Sequence, residues 1–317
     1  MIAPPGRESE ALAVIRDMVK LRSKLIMSQD SFGNVIVRHD KEHRGAPLFF
    51  SAHIDHPALV VTSIREESLL IEYRGGSKDV CYEGAEALIV TRSGDVSLRI
   101  LHHEESDSAS PLFTCEMHND VQVGDVGTLS ATRESFACDD MAGVSALLHA
   151  MDRIDERSIP GPIRLIFTRA EEIGMIGAIG ACRAGVIPLG SRVIAIDARN
   201  DVQSQRLIVS NRDRTGPVSP RLVADCVRCG CEEDENYVSA TEAGAYGAFG
   251  FESVAVTFPI GYMHNNDKGR SVPEQMDAVV YSQLVERIAA LMMGVSREPT
   301  RETLTRHFDR NMPLIQD

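Results

Sequence analysis

No apolar run in this 317-residue chain approaches the ~20 residues that a membrane-spanning helix needs. Stretches such as Ala58-Leu59-Val60-Val61 are short, and no membrane partner is expected. The opening residues lack the apolar core of a secretory signal: Met1-Ile2-Ala3 is followed by Pro4, Pro5, Arg7, Glu8 and Glu10. Cysteine is sparse, with seven residues, an odd number. A disulfide framework is therefore not expected, and a reducing cytoplasm is the expected compartment. Bases are outnumbered, 33 Lys and Arg against 46 Asp and Glu, for a formal charge of −13. Such a deficit argues against nucleic acid and anionic lipid as partners, because both select a basic face. It suits a protein that holds cations. The rest of the composition, 43% hydrophobic and 25% charged, excludes disorder, collagen and coiled coil. No internal repeat or low-complexity segment is visible.

The apolar pattern changes twice along the chain. Leu12, Ile15, Val19 and Ile26 recur near helical spacing from Glu8 onward. Asp30-Ser31-Phe32-Gly33-Asn34 is a turn signal before a strand at Val35-Ile36-Val37, and Pro47 to Ala52 reads as a buried strand ending at His53. From about residue 62 to 131, short β-like runs alternate with turns, Glu104 to Ser110 reading as a polar loop. Leu69-Leu70-Ile71, Ala87 to Val90 and Val96 to Ile100 are the clearest of these runs. Helical period returns with Val144, Leu147, Leu148, Met151 and Ile154. Strands follow at Ile163 to Phe167, Val193 to Ile196 and Val254 to Thr257, and a last helix carries Val280, Leu284, Ile288 and Leu291. The expectation is an α/β domain over 1–62 and 132–317, interrupted by a small all-β insertion over 63–131.

Four expected strands deliver metal-competent side chains at their C-terminal ends: His53 with Asp55, Glu171 with Glu172, Asp197, and His264. Asp139-Asp140 opens a helix. Ligand sites in open α/β sheets lie at the carboxyl ends of strands, and imidazole with carboxylate is what Zn²⁺ and similar ions select. Singly, each group has an ordinary reading. His53 reads equally as a core histidine, Asp139-Asp140 as a helix cap, Asp197 as a turn residue and His264 as a loop residue. In an extended segment Asp55 would lie on the side of His53 and could hydrogen-bond its ring. Glu171-Glu172 is more telling, because adjacent buried carboxylates repel unless a cation or proton compensates.

Taken in order, His53-Ile54-Asp55, Asp139-Asp140-Met141-Ala142-Gly143, Glu171-Glu172-Ile173-Gly174, Asp197 and Tyr262-Met263-His264 resemble the dinuclear metallo-aminopeptidases. With Asp30 to Asn34 and Val123-Gly124-Asp125, the resemblance narrows to the tetrahedral (TET) aminopeptidases of the glutamyl and deblocking kind. That family implies a phosphorylase/hydrolase-like α/β/α sandwich whose inserted β domain serves dimerisation. It implies two divalent ions, Zn²⁺ or Co²⁺. Asp139 would bridge them, with a cis peptide after it; His53, Glu172, Asp197 and His264 would complete the ligand set. Glu171 would be the general base, and Asp55 would orient His53. The implied activity is removal of N-terminal residues from short peptides by water activated between the two ions. The implied assembly is a homo-oligomer, from dimer to dodecamer. A carboxypeptidase or N-acyl amidohydrolase on the same site, or a non-catalytic assembly protein on the same fold, are the alternative readings.

The chain departs from that family at His56, where an acidic residue is usual, at Ala240-Thr241-Glu242-Ala243, and after His264, where Pro273-Glu274 is delayed. His56 reads as an exposed loop histidine. Cys226-x-x-Cys229-x-Cys231 lacks a fourth ligand for structural zinc. Gly244-x-x-Gly247-x-x-Gly250 does not have dinucleotide-binding spacing. His102, His103 and His118 read as surface residues, and Glu232 to Glu235 as a solvated acidic face.

Overall fold

The computed structural model describes residues 2–41, 45–75, 82–104, 110–129, 137–154, 161–267, 270–295 and 312. Helix α1 (Ser9–Lys20) buries Ala11, Ile15 and Val19 at i, i+4 and i+8. It ends sooner than the apolar spacing suggests. Ile26 lies instead on β1 (Leu25–Gln29), an edge strand antiparallel to β2 (Val35–His39), and is 41% exposed. Strand β3 (Leu48–His53) is buried at every position.

The chain then enters a closed barrel of β4 (Ala58–Ile64), β5 (Ser68–Arg74), β6 (Glu86–Val90), β7 (Asp95–Glu104), β8 (Leu112–Glu116) and β9 (Val126–Thr128). Strands β5 and β7 alternate buried and more exposed positions, with Leu69, Ile71 and Tyr73 of β5 inward. They close over a core of their own that includes Leu59, Leu98, Ile100 and Phe113. The first barrel strand starts at Ala58, ahead of the expected boundary at 63, because Ala58 to Val61 already pair with β5. The far boundary, at 131/132, and most of the loop after Glu104 lie outside the described residues.

The remaining elements are α2 (Cys138–Arg153), β10 (Ile163–Thr168), α3 (Ile176–Arg183), β11 (Arg192–Asn200), β12 (Ile208–Val209), α4 (Pro220–Arg228), β13 (Glu232–Glu233), α5 (Glu242–Ala248), β14 (Glu252–Ile260), the hairpin β15 (Asn266–Asp267) and β16 (Arg270–Ser271), and α6 (Ala278–Gly294). One eight-stranded sheet runs in the order β1-β2-β10-β3-β11-β14-β12-β13. Its centre, β10-β3-β11-β14, is parallel. Alternate side chains of these strands enter opposite layers. Leu48, Phe50, Ile194 and Ile196 pack with α1, α2, α4 and α6, while Phe49, Ile166 and Val193 pack with α3 and α5. The result is an α/β/α sandwich carrying a barrel between β3 and α2. Among the described residues, no helix is long and apolar enough to cross a membrane.

Candidate metal centre

The carboxyl ends of the four parallel strands open onto a cavity of about 530 Å³. Its floor holds His53, Asp139, Glu171, Glu172, Asp197 and His264. Asp139 stands between the two imidazoles: Oδ1 is 3.0 Å from His53 Nε2, and Oδ2 is 3.4 Å from His264 Nε2. Asp197 Oδ1 lies 3.8 Å from His53 Nε2, and Glu172 Oε1 lies 3.1 Å from His264 Nε2. Two triads of ligand atoms, His53/Asp139/Asp197 and Asp139/Glu172/His264, each fall within 4.8 Å and share Asp139. A third group joins His53 to Glu171 and Glu172. Six of the seven residues singled out from the sequence meet at this floor, and the seventh, Asp55, lies beneath it.

Local sequence explains each placement. His53 ends a buried strand, and its Nδ1 faces the backbone carbonyl of Asp55 at 3.0 Å, which turns Nε2 toward the cavity. The Asp55 carboxylate does different work from the ring contact expected of it. It accepts the backbone N–H groups of Glu171 at 2.9 Å and Glu172 at 3.1 Å. Its ring contact is weaker, 3.7 Å, because the chain leaves β3 immediately after His53. The Asp139–Asp140 peptide is cis. Asp140 folds back over the first turn of α2, where a Cβ on Gly143 would sit 2.3 Å from its Oδ1; this accounts for the glycine. Asp197 lies inside β11 rather than beyond its end, since pairing with β14 continues to Asn200.

Glu171 and Glu172 ride on a loop with Ala170 and Met175 at positive φ. The D-S-F-G-N turn fastens that loop. Asn34 accepts the Arg169 N–H at 3.1 Å and donates to Asp30 and to the Gly177 carbonyl. Fully buried Glu8 receives the Arg169 guanidinium through Nε and Nη2. Sequence reasoning gave no role to Glu8, Asp140 or Glu274. Glu274 follows Val272-Pro273, carries no periodicity, and could be found only through its contacts. His56, expected to be exposed, is 4% exposed and hydrogen-bonded to Glu274 at 3.0 Å. Burial against a carboxylate is what the loop reading lacked.

Charge is crowded here. Burial pushes the Glu171 carboxyl well above the ordinary range, with the neighbouring carboxylates adding to it. Burial also raises Asp140 strongly and Asp197 to about 7. Asp139 goes the other way: burial would raise it, but hydrogen bonds from His264 and His53 hold it far below the usual range. For both imidazoles, burial opposes the charged form and the surrounding carboxylates prevail, raising them well above the ordinary value. Four acids at one floor, Asp139, Glu171, Glu172 and Asp197, are an arrangement a pair of divalent cations would neutralise. The donor set fits such ions. Glu172 Oε1 is buried and makes no hydrogen bond, although it stands close to His264 Nε2.

Residues 126–272 match the family model of the M42 glutamyl aminopeptidases. That span carries Asp139, Glu171, Glu172, Asp197 and His264; His53 and Asp55 precede it. Comparison with curated protein sequences finds no significant match. Among solved structures, the chain is similar to the TET aminopeptidase of Thaumarchaeota archaeon SCGC AB-539-E09. The TM-score is 0.76 at 18% identity, covering 94% of this chain and 95% of that one. It is similar to the TET1 peptidase of Pyrococcus horikoshii, which can assemble into a tetrahedron or a large octahedral shell. There the TM-score is 0.71 at 22% identity, covering 92% and 96%. An aminopeptidase from Desulfurococcus kamchatkensis gives 0.71 at 18% identity, covering 96% and 94%.

Proposed function

We propose that the chain is a metal-dependent aminopeptidase of the M42 kind, whose family model matches residues 126–272, and that its catalytic centre is the floor built on Asp139. His53 and Asp197 would hold one ion, His264 and Glu172 the other, and Asp139 would lie between them. Zn²⁺ or Co²⁺ suits this set of two imidazoles and three carboxylates. The observation that carries the reading is the pair of ligand triads sharing Asp139, with Glu171 beside them. When bound, the ions supply Lewis acidity, polarising a peptide carbonyl and making water a better nucleophile.

The chain's own residues do the rest. Glu171 would accept a proton from the attacking water and return it to the departing amine. Its raised pKa suits a group that must both take and give a proton near neutrality. Asp55 holds the backbone of Glu171, so the base keeps its place while its carboxylate stays free. The cavity above is walled by Ile208, Val238, Ala240 and Met263 together with Arg199, Arg206 and Arg214, room for an N-terminal residue and its neighbours.

The proposed substrate is a short peptide with a free N-terminus. We further propose a homo-oligomer that pairs through the barrel, in the cytoplasm. Glu171→Gln tests the mechanism: kcat should fall by at least about 10²-fold, as loss of a general base does, with metal content unchanged. Hydrolysis at the wild-type rate would remove Glu171 from the role. Comparing free with N-acylated peptides checks the substrate class, and preference for the blocked forms would favour an amidohydrolase.

A further inference from the structure

Glu274 has no part in the chemistry above, yet its side chain is fully buried beside the site. Its carboxylate makes three contacts that join separate segments. Oε2 accepts the backbone N–H of Asp139 at 3.0 Å. Oε1 accepts the backbone N–H of His264 at 2.7 Å and the Nε2–H of His56 at 3.0 Å. Nδ1 of His56 faces the Pro57 carbonyl at 3.1 Å, so both ring nitrogens meet acceptors and the charged ring satisfies both. Asn265 completes the knot, accepting the Glu274 N–H at 3.3 Å and lying 3.3 Å from His56 Nε2.

The turn so anchored is strained. Tyr262, His264 and Asn265 have φ of 58°, 59° and 56°, a left-handed conformation that non-glycine residues rarely adopt. Such a conformation persists only where surrounding contacts over-determine it. Here those contacts include the Glu274 carboxylate on the His264 N–H, the Glu274 N–H on the Asn265 side chain, and the Val272 N–H on the Asn265 carbonyl.

We propose that Glu274, held by His56, is a positioning residue that locks Asp139 and His264 in register with each other. A carboxylate that spans the two backbones couples the shared ligand to the ligand on the most strained turn. The inference rests on the two-ion reading above and adds to it the device that sets the separation of the ligands.

The test is a titration of metal-free protein with Co²⁺, followed by calorimetry and visible absorption. Glu274→Gln keeps the shape but sets an amide N–H₂ against a backbone or imidazole donor. The second Co²⁺ should then bind about 10- to 100-fold more weakly, the usual effect of losing a partner behind the ligands, and its absorption bands should shift. His56→Leu should move both readouts the same way by less, His56→Gln should restore them, and the double variant E274Q/H56L should be no worse than E274Q. Two ions bound to E274Q with wild-type affinities and spectrum would overturn the proposal while leaving the two-ion site intact. Should E274Q fail to fold, wild-type behaviour of H56L overturns it equally. Wild-type protein binding fewer than two ions would overturn both readings.

Discussion

Asp55 and His56 mark how far single residues could be read. Both lie two or three positions past a strand end, where sequence gives identity but not direction. The candidate ligand types stood out because imidazole and carboxylate at strand ends have few other purposes in combination. Asp55 acts through its backbone carbonyl on His53 and its carboxylate on the next loop, a division no spacing rule encodes. His56 becomes a core residue through Glu274, more than two hundred positions away. The same residues set a pH dependence. Asp197 holds its proton to about pH 7 in the folded chain, against 3.8 when exposed. Folding is therefore favoured where that proton is bound, and the benefit is lost as pH rises from about 4 through 7. His53 and His264, raised by their carboxylates, add stability below pH 6.5 that is also lost on going up in pH. Asp139 opposes them only in acid, where its depressed pKa costs stability as pH falls. Thermal melts of metal-free protein should thus show a lower Tm at pH 9 than at pH 6, and added Zn²⁺ should reverse the trend. A Tm that climbs between those values without metal would contradict this account.

At the level of elements, the long, well-patterned pieces were legible. Helix α2, the strands β3, β10, β11 and β14, and helix α6 all follow from their apolar spacing. Short edge pieces were not. Strand β1 carries no alternation strong enough to separate Ile26 from the helical stripe before it, and β12 and β13 are two-residue pairs. Loops were the poorest, although the site depends on them. The loop bearing Glu171 and Glu172 is fixed from outside by Glu8 and Asn34, which lie in the first turns of the chain. Removing one partner from a buried ion pair costs about 3–5 kcal/mol. Arg169 is 27% exposed, so solvent screening discounts that range and Glu8→Ala should cost roughly 2–3 kcal/mol. Chemical denaturation would measure the loss, and kcat should fall with it because the base loses its mooring. Unchanged stability and kcat would show that the ion pair does not hold the loop.

The whole molecule divides between a sandwich that gathers the imidazoles and carboxylates of the floor and a barrel that closes on its own core. They touch where it matters. Gly75, just past the barrel strand β5, leaves room for only a hydrogen above Glu172; a Cβ there would lie 2.9 Å from the Glu172 Cβ. The acid excess of the sequence also gains a local meaning, since Asp139, Glu172 and Asp197 are among its 46 acids and crowd one floor. Cation binding should therefore stabilise the entire fold. At 100-fold above its Kd, one ion contributes about 2.7 kcal/mol. Chelation should lower Tm by several degrees and abolish peptide hydrolysis, with both restored by Zn²⁺ or Co²⁺. A Tm indifferent to chelator would place the acids outside any metal site.

The most direct test is anomalous diffraction at the zinc edge from crystals of the Zn²⁺-loaded protein. The account predicts two anomalous peaks on the cavity floor, one beside His53 and Asp197, the other beside His264 and Glu172, both in contact with Asp139. A single peak, or zinc bound elsewhere, such as at Cys226 and Cys231, would contradict it.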